Sequence, residues 1–573
     1  MAHLHKKIKK GRPYYYIREI ARVGGKPKVI NQIYLGSLER ITELAKGTEG
    51  RLRKLSAQEF GALWIANEMD RHVGLASLVD SVLPKGENET GPSVGDYFLY
   101  AVFNRMVDPC SKRALPDWYR STAVQHIRPV DIDALNSQRY WERWSRVTEK
   151  HLRKIATAFL ERISRLEPPE SDCFLFDTTN YYTYMASDTE SDLAVRGKNK
   201  EGKDWLRQIG VALLVSRNKQ LPLFYREYEG NRHDSKVFRQ ILEEVLSAMT
   251  KSSKGKKELT LVFDKGMNSE ENIAAIDSLE GIHFITTYSS YFAEDLIHVK
   301  LSQFRPVDTP KNRELEQRGK ADDRLVAYRT EREFWNRVRT VVVTHNPRTA
   351  AKQRYAFDKK LLTLQQTLLE LRSKVQSQKS HWTDANRVEK RYREACEHLH
   401  LPDDLYEFAV EKHKGRWNLA FRKNYYRIGR HIERFGKNII VTSHQDWSTD
   451  QIVRASLDRY MVEQAFRQSK DDDQVQLSPI RHWTDSKIRC HIFTCIAALA
   501  YLRLIELRLE QRGLRISART ALQQMHRLHS CLCWMGGNEK PDRVIEEPTE
   551  LQAQILAAFG YQVGSGVLQK SAA

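Results

Sequence analysis

Two aspartates in the middle of the chain follow short hydrophobic segments that are typical of buried strands. Asp177 ends the segment CFLFD, and Asp264 ends the segment LTLVFD. In α/β sheets, ligands bind beyond the carboxyl ends of the strands. If the two strands are neighbours, the carboxylates lie close enough to repel each other unless a divalent cation lies between them. The pair therefore predicts a site for Mg²⁺ or Mn²⁺.

A third carboxylate, Glu463, lies in the segment SLDRYMVEQAFRQSK, which has the pattern of an amphipathic helix. On a helix that turns by about 100° per residue, Arg459, Glu463 and Lys470 share one stripe that borders the apolar face. An exposed helix more often carries its charges opposite that face. Glu463 is therefore the candidate third ligand of a two-metal site for phosphoryl transfer, in which the ions lie about 3.5–4 Å apart.

The elements that would hold these residues form a mixed α/β sheet. Between 172 and 290 the pattern predicts three strands, a helix, a strand, a helix and a strand, in that order. The first of these helices spans 234–249, and Asp234 is placed to cap it. Alternation of this kind predicts an α/β fold.

The region between about 300 and 440 interrupts this alternation and is interpreted as an insertion. Strand-like segments at 322–347 and 415–443 flank two helices that form a predicted hairpin, the second at 383–399. The first helix carries leucines at a 3-4-3-4 spacing, which favours packing within the hairpin and leaves dimerisation as an alternative. Trp335 and Trp417 either anchor hydrophobic clusters or stack on an unpaired base.

The N-terminal third combines a predicted β-hairpin with a helical region. Residues 13–36 alternate around Gly24-Gly25, which predicts the hairpin. Helical patterning runs from about 57 to 165 and ends before Pro168-Pro169. Six arginines make this region either a DNA-reading module or an ordinary solvated helix surface. They are Arg113, Arg120, Arg128, Arg139, Arg143 and Arg146.

These patterns divide the chain into six predicted segments. A β-hairpin segment (1–50) precedes a helical domain (51–168). The first part of the α/β core (169–300) is followed by the insertion subdomain (301–445), and the second part of the core follows that (446–512). A helical C-terminal region (513–573) completes the chain.

The composition favours a soluble protein with a polyanionic partner. Lys and Arg number 93 against 73 Asp and Glu, a net charge of +20, which suits binding to nucleic acid. The 7 cysteines are odd in number and scattered, which predicts a reducing compartment rather than a disulfide framework. The basic start lacks the apolar run of a signal peptide, and the longest apolar run, 492–502, predicts a buried helix. We therefore expect an intracellular protein with no membrane partner.

Three acidic motifs, in this order, resemble the acidic triad of insertion-sequence DDE transposases of the cut-and-paste class. The motifs are FLFDTTN, VFDKGMNSEEN and RYMVEQAFRQSK. In that class the third motif reads Tyr-x2-Arg-x3-Glu-x6-Lys, and this chain has Ser456 at the Tyr position. GNRHDSK (230–236) and the segment 477–502 also resemble the class, so the resemblance covers about 170–510.

The resemblance implies a ribonuclease-H-like core and transposase chemistry. Residues 169–300 and 446–512 would form the catalytic core, and 51–168 would be a DNA-end-binding domain. Asp177, Asp264 and Glu463 would hold two Mg²⁺ or Mn²⁺ ions, and Arg459, Arg467 and Lys470 would contact DNA. The enzyme would act as an endonuclease at the ends of a bacterial element and join the freed 3′-OH to target DNA. The implied partners are double-stranded DNA, as terminal repeats and target, and a second copy of the chain at synapsis, in a cytoplasmic, nucleoid-associated location. Ser456 cannot contact DNA as Tyr would, so cutting is better supported than a hairpin intermediate.

Two other functions remain open at this point. One is a ribonuclease-H-like nuclease that cuts without joining, and the other is a transposase-derived DNA-binding protein without catalysis. The complete acidic set argues against the second. Individually, Asp177 and Asp264 also suit turns after strands. Glu463 also suits a helix surface, where it would pair with Arg459.

Overall fold

The computed structural model describes residues 2–9, 12–23, 26–37, 41, 52–197, 202–253, 255–256, 258–535 and 540–571. The strands in the first half of the chain are β1 (Ala2–Lys9), β2 (Arg12–Val23), β3 (Lys26–Ser37), β4 (Leu52–Glu59), β5 (Cys173–Thr183), β6 (Val195–Arg196), β7 (Arg207–Ser216), β8 (Pro222–Glu229), β9 (Leu259–Phe263) and β10 (Ile282–Tyr288). The later strands are β11 (Arg305–Pro306), β12 (Val326–Phe334), β13 (Arg337–His345), β14 (Tyr406–His413), β15 (Arg416–Lys423), β16 (Lys437–Thr442), β17 (His529–Met535), β18 (Asp542–Ile545), β19 (Tyr561–Gly564) and β20 (Val567–Lys570).

Helices occupy most of the remaining described chain. The first are α1 (Gly61–Val73), α2 (Leu75–Val82), α3 (Val94–Val107), α4 (Leu115–Ser121), α5 (Val124–Ile127), α6 (Ser137–Ser145), α7 (Glu149–Leu166), α8 (Asp234–Ser252), α9 (Glu270–Asp277) and α10 (Glu294–Ile297). The others are α11 (Pro310–Gln317), α12 (Pro347–Gln376), α13 (Ala385–Leu399), α14 (Tyr425–Ile432), α15 (Thr449–Leu457), α16 (Tyr460–Ser469), α17 (Asp485–Gln511), α18 (Ala518–Met525) and α19 (Glu550–Ala558). Short 3₁₀ turns lie at Ile132–Leu135, Lys265–Met267, Leu301–Gln303, Ala321–Asp323 and Ser380–Trp382.

The chain divides into two compact units. The first contains residues 1–233, 240–256 and 461–573, and the second contains residues 234–239 and 257–460. The predicted order between 172 and 290 is confirmed as β5, β7, β8, α8, β9, α9 and β10, with the two-residue β6 in addition. The helix α8 begins at Asp234, so this residue lies in the first helical turn.

The second unit contains a mixed sheet with the order β11-β12-β13-β16-β10-β9. β9 and β10 pair in parallel, and the other pairs are antiparallel. The parallel pair follows from its connection, because the helix α9 crosses over between the two strands. The side chains of β9 are all buried, as in a strand covered on both faces. The mixed α/β prediction is thereby confirmed.

The predicted helical hairpin is present in the second unit as α12 and α13. The spaced apolar residues of α12 are all buried: Leu361, Leu364, Leu368, Leu371 and Val375. They form one core with residues of α13, β14 and β15, and Trp417 packs against that core. Trp335 packs instead with Tyr288 and Phe334. The packing interpretation is therefore confirmed for the leucines, and both tryptophans anchor hydrophobic clusters.

The first unit is built around α17, whose side chains are buried along most of the helix. Tyr501 of α17 donates a hydrogen bond to Asp70 of α1, with the oxygens 2.8 Å apart, inside the core. Strand β7 pairs antiparallel with β5 and with β8. By length and composition α17 could cross a membrane, yet 89% of its most apolar stretch is buried inside the protein. The prediction of a buried helix at 492–502 is confirmed.

The structure corrects several local predictions. β2 and β3 form the predicted hairpin, whose Gly24-Gly25 turn lies outside the described residues, but β1 adds a third strand. The tail is not simply helical, because it contains β17 to β20. β17 pairs with β4, a strand that lies at the start of the region predicted to be helical. Pairing across about 470 residues leaves no local signal, since it depends on tertiary contacts alone.

Candidate active site

Asp264 lies directly after β9, as predicted, and is half-buried there. The hydroxyl of Thr287, in the neighbouring strand β10, donates a hydrogen bond to Asp264 Oδ1 at 3.1 Å. Arg459 lies on the same side, with its Nη2 atom 3.8 Å from Asp264 Oδ1. Because β9 and β10 are parallel neighbours, Thr287 reaches the carboxylate from the adjacent strand end. The structure thus places Arg459, a residue of the third acidic motif, beside Asp264 within the second unit.

The loop after Asp264 is fixed by two asparagines that sequence reasoning missed. Asn272 is fully buried, and its amide donates to the Met267 carbonyl at 2.8 Å. The amide of Asn268 donates to the Thr287 carbonyl at 2.8 Å. Both lie in the motif DKGMNSEEN, so in the sequence only their closeness to Asp264 indicated that they could act on it. These bonds hold the backbone that presents the carboxylate.

Replacing Arg459 by Ala is expected to lower the DNA cleavage rate by roughly 10- to 100-fold, because the guanidinium helps to orient Asp264. The loss should appear in a single-turnover assay on DNA, with the unfolding midpoint unchanged. Arg318→Ala is the control, since Arg318 is an exposed arginine of the same unit that pairs with Glu314. A wild-type rate for Arg459→Ala would contradict this role.

Asp177 is half-buried and lies inside β5, not at its end. The prediction that the strand ends at Asp177 is therefore wrong. Thr178 to Thr183 continue the pairing with β7, up to Thr183 opposite Arg207. β-Branched and aromatic residues in this stretch favour the extended conformation and explain the longer strand. The Thr178 backbone N–H donates to Asp177 Oδ1 at 2.8 Å.

The segment 456–470 is not one continuous helix. α15 ends at Leu457 and α16 begins at Tyr460, so Arg459 lies in the turn between them and Lys470 follows the end of α16. The predicted common stripe is wrong for this reason, because a helical wheel applies only within one helix. Glu463 lies in the first turn of α16 and is exposed. A carboxylate in a first helical turn is stabilised by the helix dipole.

Tyr181 connects α16 to the strand that carries Asp177. Its hydroxyl lies 2.6 Å from Ser469 Oγ, at the end of α16. Ser469 already donates to the Phe466 carbonyl at 2.7 Å, so Tyr181 is the donor. Burial raises the pKa of Tyr181, which keeps the hydroxyl protonated. Lys470 Nζ lies 5.3 Å from the centre of the Tyr181 ring, within cation–π range.

Tyr181→Phe is expected to lower the free energy of unfolding of the first unit by about 1–3 kcal/mol, because it leaves Ser469 Oγ without its buried donor. Hydrogen exchange along 461–469 measures the effect locally. Tyr184→Phe provides the matched control, since Tyr184 is 63% exposed. Equal exchange in the two variants would contradict the coupling.

The remaining predicted DNA contacts lie in the first unit. Arg467 is exposed on α16, and Lys470 is half-buried. Of the six arginines in the helical N-terminal region, several pair with carboxylates. Arg120 contacts Asp117 and Asp133, Arg128 contacts Asp96, Arg139 contacts Glu142, and Arg143 and Arg146 both contact Glu89. These ion pairs favour the surface interpretation for the five residues, and their role in reading DNA stays a prediction.

The three candidate carboxylates are divided between the units. Asp177 and Glu463 belong to the first and Asp264 to the second. Within neither unit do the described residues gather three or more His, Cys, Asp or Glu side chains in the manner of a metal centre. The donor set itself consists of carboxylate oxygens alone, which are the ligands that Mg²⁺ and Mn²⁺ prefer. Its chemistry therefore fits a hard divalent cation.

A mixed sheet with a crossover helix, and with Asp264 at the end of its parallel strand β9, is consistent with a ribonuclease-H-like transposase fold. The family model described as "Transposase DDE domain" matches residues 171–502, and the chain belongs to this family. The matched range includes Asp177, Asp264 and Glu463. The protein is accordingly a DNA transposase, an enzyme that cleaves DNA and transfers strands.

Among solved structures, the chain is similar to a piggyBac transposase in a cryo-EM structure of its synaptic complex with hairpin DNA. The sequence identity is 10%, the TM-score is 0.38, and the match covers 82% of each chain. At this level of similarity we draw no functional conclusion from it. No curated protein matches the chain.

Proposed function

We propose that the chain moves an insertion sequence of bacterial type and that Asp177, Asp264 and Glu463 are its catalytic carboxylates. The observation that carries this assignment is the 3.8 Å approach of Arg459 to Asp264. Two residues from motifs nearly 200 positions apart meet at the end of a parallel strand, which is where α/β sheets bind ligands. Two surface charges that paired by chance would have no reason to lie at the end of this parallel strand.

In this proposal the three carboxylates hold two Mg²⁺ or Mn²⁺ ions. When bound, such ions stabilise the charge on the phosphoryl oxygens and activate the attacking oxygen. The protein side chains do the positioning: Thr287 and Arg459 orient Asp264, and Lys470 and Arg467 bind backbone phosphates. Electrostatic stabilisation of this kind usually supplies most of the rate enhancement.

The partners in the proposal are the terminal repeats of the element and a target duplex. Two copies of the chain hold the two ends, in a nucleoid-associated, cytoplasmic setting without a membrane partner. The third motif is of the Tyr-Arg-Glu-Lys type with Ser456 in place of Tyr. Ser456 is half-buried in α15 and offers no ring for stacking on DNA. We therefore propose excision without a tyrosine-stabilised hairpin.

A strand-transfer assay tests the proposal. Purified protein, Mg²⁺ and labelled DNA that carries the flanking repeats of the gene should give joined products. Nicked DNA without joined products would instead identify a nuclease, and binding without cleavage would identify a DNA-binding derivative. Either of these results would overturn the proposed function. Sequencing of the junctions reports whether hairpin ends formed.

A further inference from the structure

The first unit contains a cavity of about 470 Å³ that lies apart from the residues discussed so far. Helices α3 and α6 and the loop around residue 112 form one side, and residues 476–491 form the other. A volume of this size falls within the range of small-molecule ligand sites. The lining residues that matter here are Arg105, Lys112, Trp141, Trp144, His482 and Trp483.

Three donor atoms of this lining make no hydrogen bond in the described part of the chain, although the Lys112 ammonium lies 5.2 Å from the centres of the Tyr140 and Trp144 rings. The three donors are the buried atoms Lys112 Nζ, Arg105 Nε and Trp144 Nε1. Arg105 is only 6% exposed and Trp144 only 1% exposed, so water does not reach most of either side chain. Leaving one buried donor unpaired costs about 1–3 kcal/mol. Three unpaired donors around one cavity indicate a ligand rich in acceptors.

The charges around the cavity select an anion. Its described lining residues include Arg105, Lys112, Arg481 and Lys487 and no Asp or Glu. Burial, and to a lesser extent the charge of Arg105, lower the pKa of Lys112 to about 7. Burial also lowers the pKa of His482 to about 3, so this imidazole is neutral. An anion in the cavity would stabilise the ammonium form of Lys112 and pair with it.

The open side of the cavity carries exposed aromatic rings. Trp483 is 63% exposed and Trp141 is 47% exposed. Lys487 Nζ lies 3.9 Å from the centre of the Trp141 ring, which fixes that indole by a cation–π contact. Exposed indoles beside a basic site are suited to stacking on nucleobases. A ligand that fits this site therefore combines hydrogen-bond acceptors, a negative charge and a flat aromatic group.

We propose that this cavity binds a nucleoside phosphate, with phosphate oxygens accepting from the buried donors and the base against Trp483 or Trp141. In an unpaired DNA strand the nucleotide would belong to the transposase substrate, and that part of the inference rests on the proposed function. A free nucleotide presents the same chemistry. Binding measurements with a DNA strand and with a free nucleotide decide which of these two ligands the cavity takes.

The test measures binding of the full-length protein, without cleavage, by fluorescence anisotropy. The probes are a labelled 5′-phosphorylated single strand and, in competition, thymidine monophosphate. Lys112→Met is expected to weaken binding of at least one probe by about tenfold or more, since it removes a charged donor. Lys85→Met is the matched control, because Lys85 is exposed and outside the cavity.

A second variant keeps the test independent of folding. Trp483→Ala changes an exposed side chain and is expected to weaken binding by roughly 5- to 100-fold. Trp205→Ala, which removes an indole that is 67% exposed elsewhere, should leave binding unchanged. Lys112→Met should unfold at nearly the wild-type midpoint, because the loss of the cation–π contacts with Tyr140 and Trp144 offsets the gain from removing a buried cation.

Each outcome decides a separate point. If the variants lose affinity for the single strand alone, the cavity binds DNA. If they lose affinity for thymidine monophosphate alone, it binds a free nucleotide. A loss of affinity for both probes supports the shared chemistry. Wild-type affinity of Lys112→Met and Trp483→Ala for both probes would overturn the inference. If the wild type fails to join DNA but keeps Lys112-dependent binding, the proposed function fails while the cavity assignment stands.

Discussion

Asp264→Asn is expected to abolish DNA cleavage and strand transfer, with a loss of at least about a thousandfold in the single-turnover rate. The substitution keeps the shape of the side chain and its bond from Thr287 but removes the negative charge. A neutral amide binds a hard divalent cation far more weakly than a carboxylate does. Asp177→Asn and Glu463→Gln should have the same effect, because in the proposal the three carboxylates act as one set.

The controls for this result separate catalysis from folding and from binding. Each variant should bind end-bearing DNA with nearly the wild-type affinity, and its unfolding midpoint should change little. Asp322→Asn, at an exposed aspartate of the second unit, should cleave and join at the wild-type rate. If one of the three variants joins DNA normally, that residue is not a catalytic carboxylate.

Arg339→Met is expected to destabilise the second unit by about 3–5 kcal/mol. Arg339 in β13 is 4% exposed and forms a two-pronged ion pair with Asp277 at the end of α9, with one N–O distance of 3.0 Å. Removing the guanidinium leaves a largely buried carboxylate with only Arg337, 3.7 Å away. Because α9 follows the Asp264 loop, the cleavage rate should fall as well.

Hydrogen exchange along 270–277 and 337–345 measures this local loss of stability. The comparison is Arg313→Met, which breaks the exposed pair between Arg313 and Asp308. Exposed pairs contribute only about 0–1 kcal/mol, so exchange in that variant should resemble the wild type. Unchanged exchange in Arg339→Met would show that the buried pair contributes little to stability.

The sequence by itself determined the strands and helices of the core and the acidic motifs. The continuous hydrophobic run in LTLVFD and the spaced leucines of 361–375 were sufficient because both patterns record burial over a short stretch of chain. Asp264 at the end of β9 and the packed helical hairpin follow from such local patterns, and the structure agrees with both.

Other features depended on partners that are distant in the sequence. β4 became a strand because β17 pairs with it, although the element that follows it, α1, is helical. β5 extends past Asp177 because β7 continues to pair with it as far as Arg207. The break between α15 and α16 placed Arg459 in a turn, where it reaches Asp264 instead of sharing a stripe with Glu463.

The sequence therefore determined which residues are available for chemistry. Only the tertiary structure decided which of these residues lie close together. Thr287 and Tyr181 lie outside the acidic motifs, and Asn272 lies inside one without a predicted role. Their hydrogen bonds nevertheless orient Asp264, α16 and the loop after Asp264. The same holds for the cavity around Lys112, whose walls come from segments more than 300 residues apart. Periodicity records which side of an element is buried, whereas the contacting element is fixed only when the chain packs.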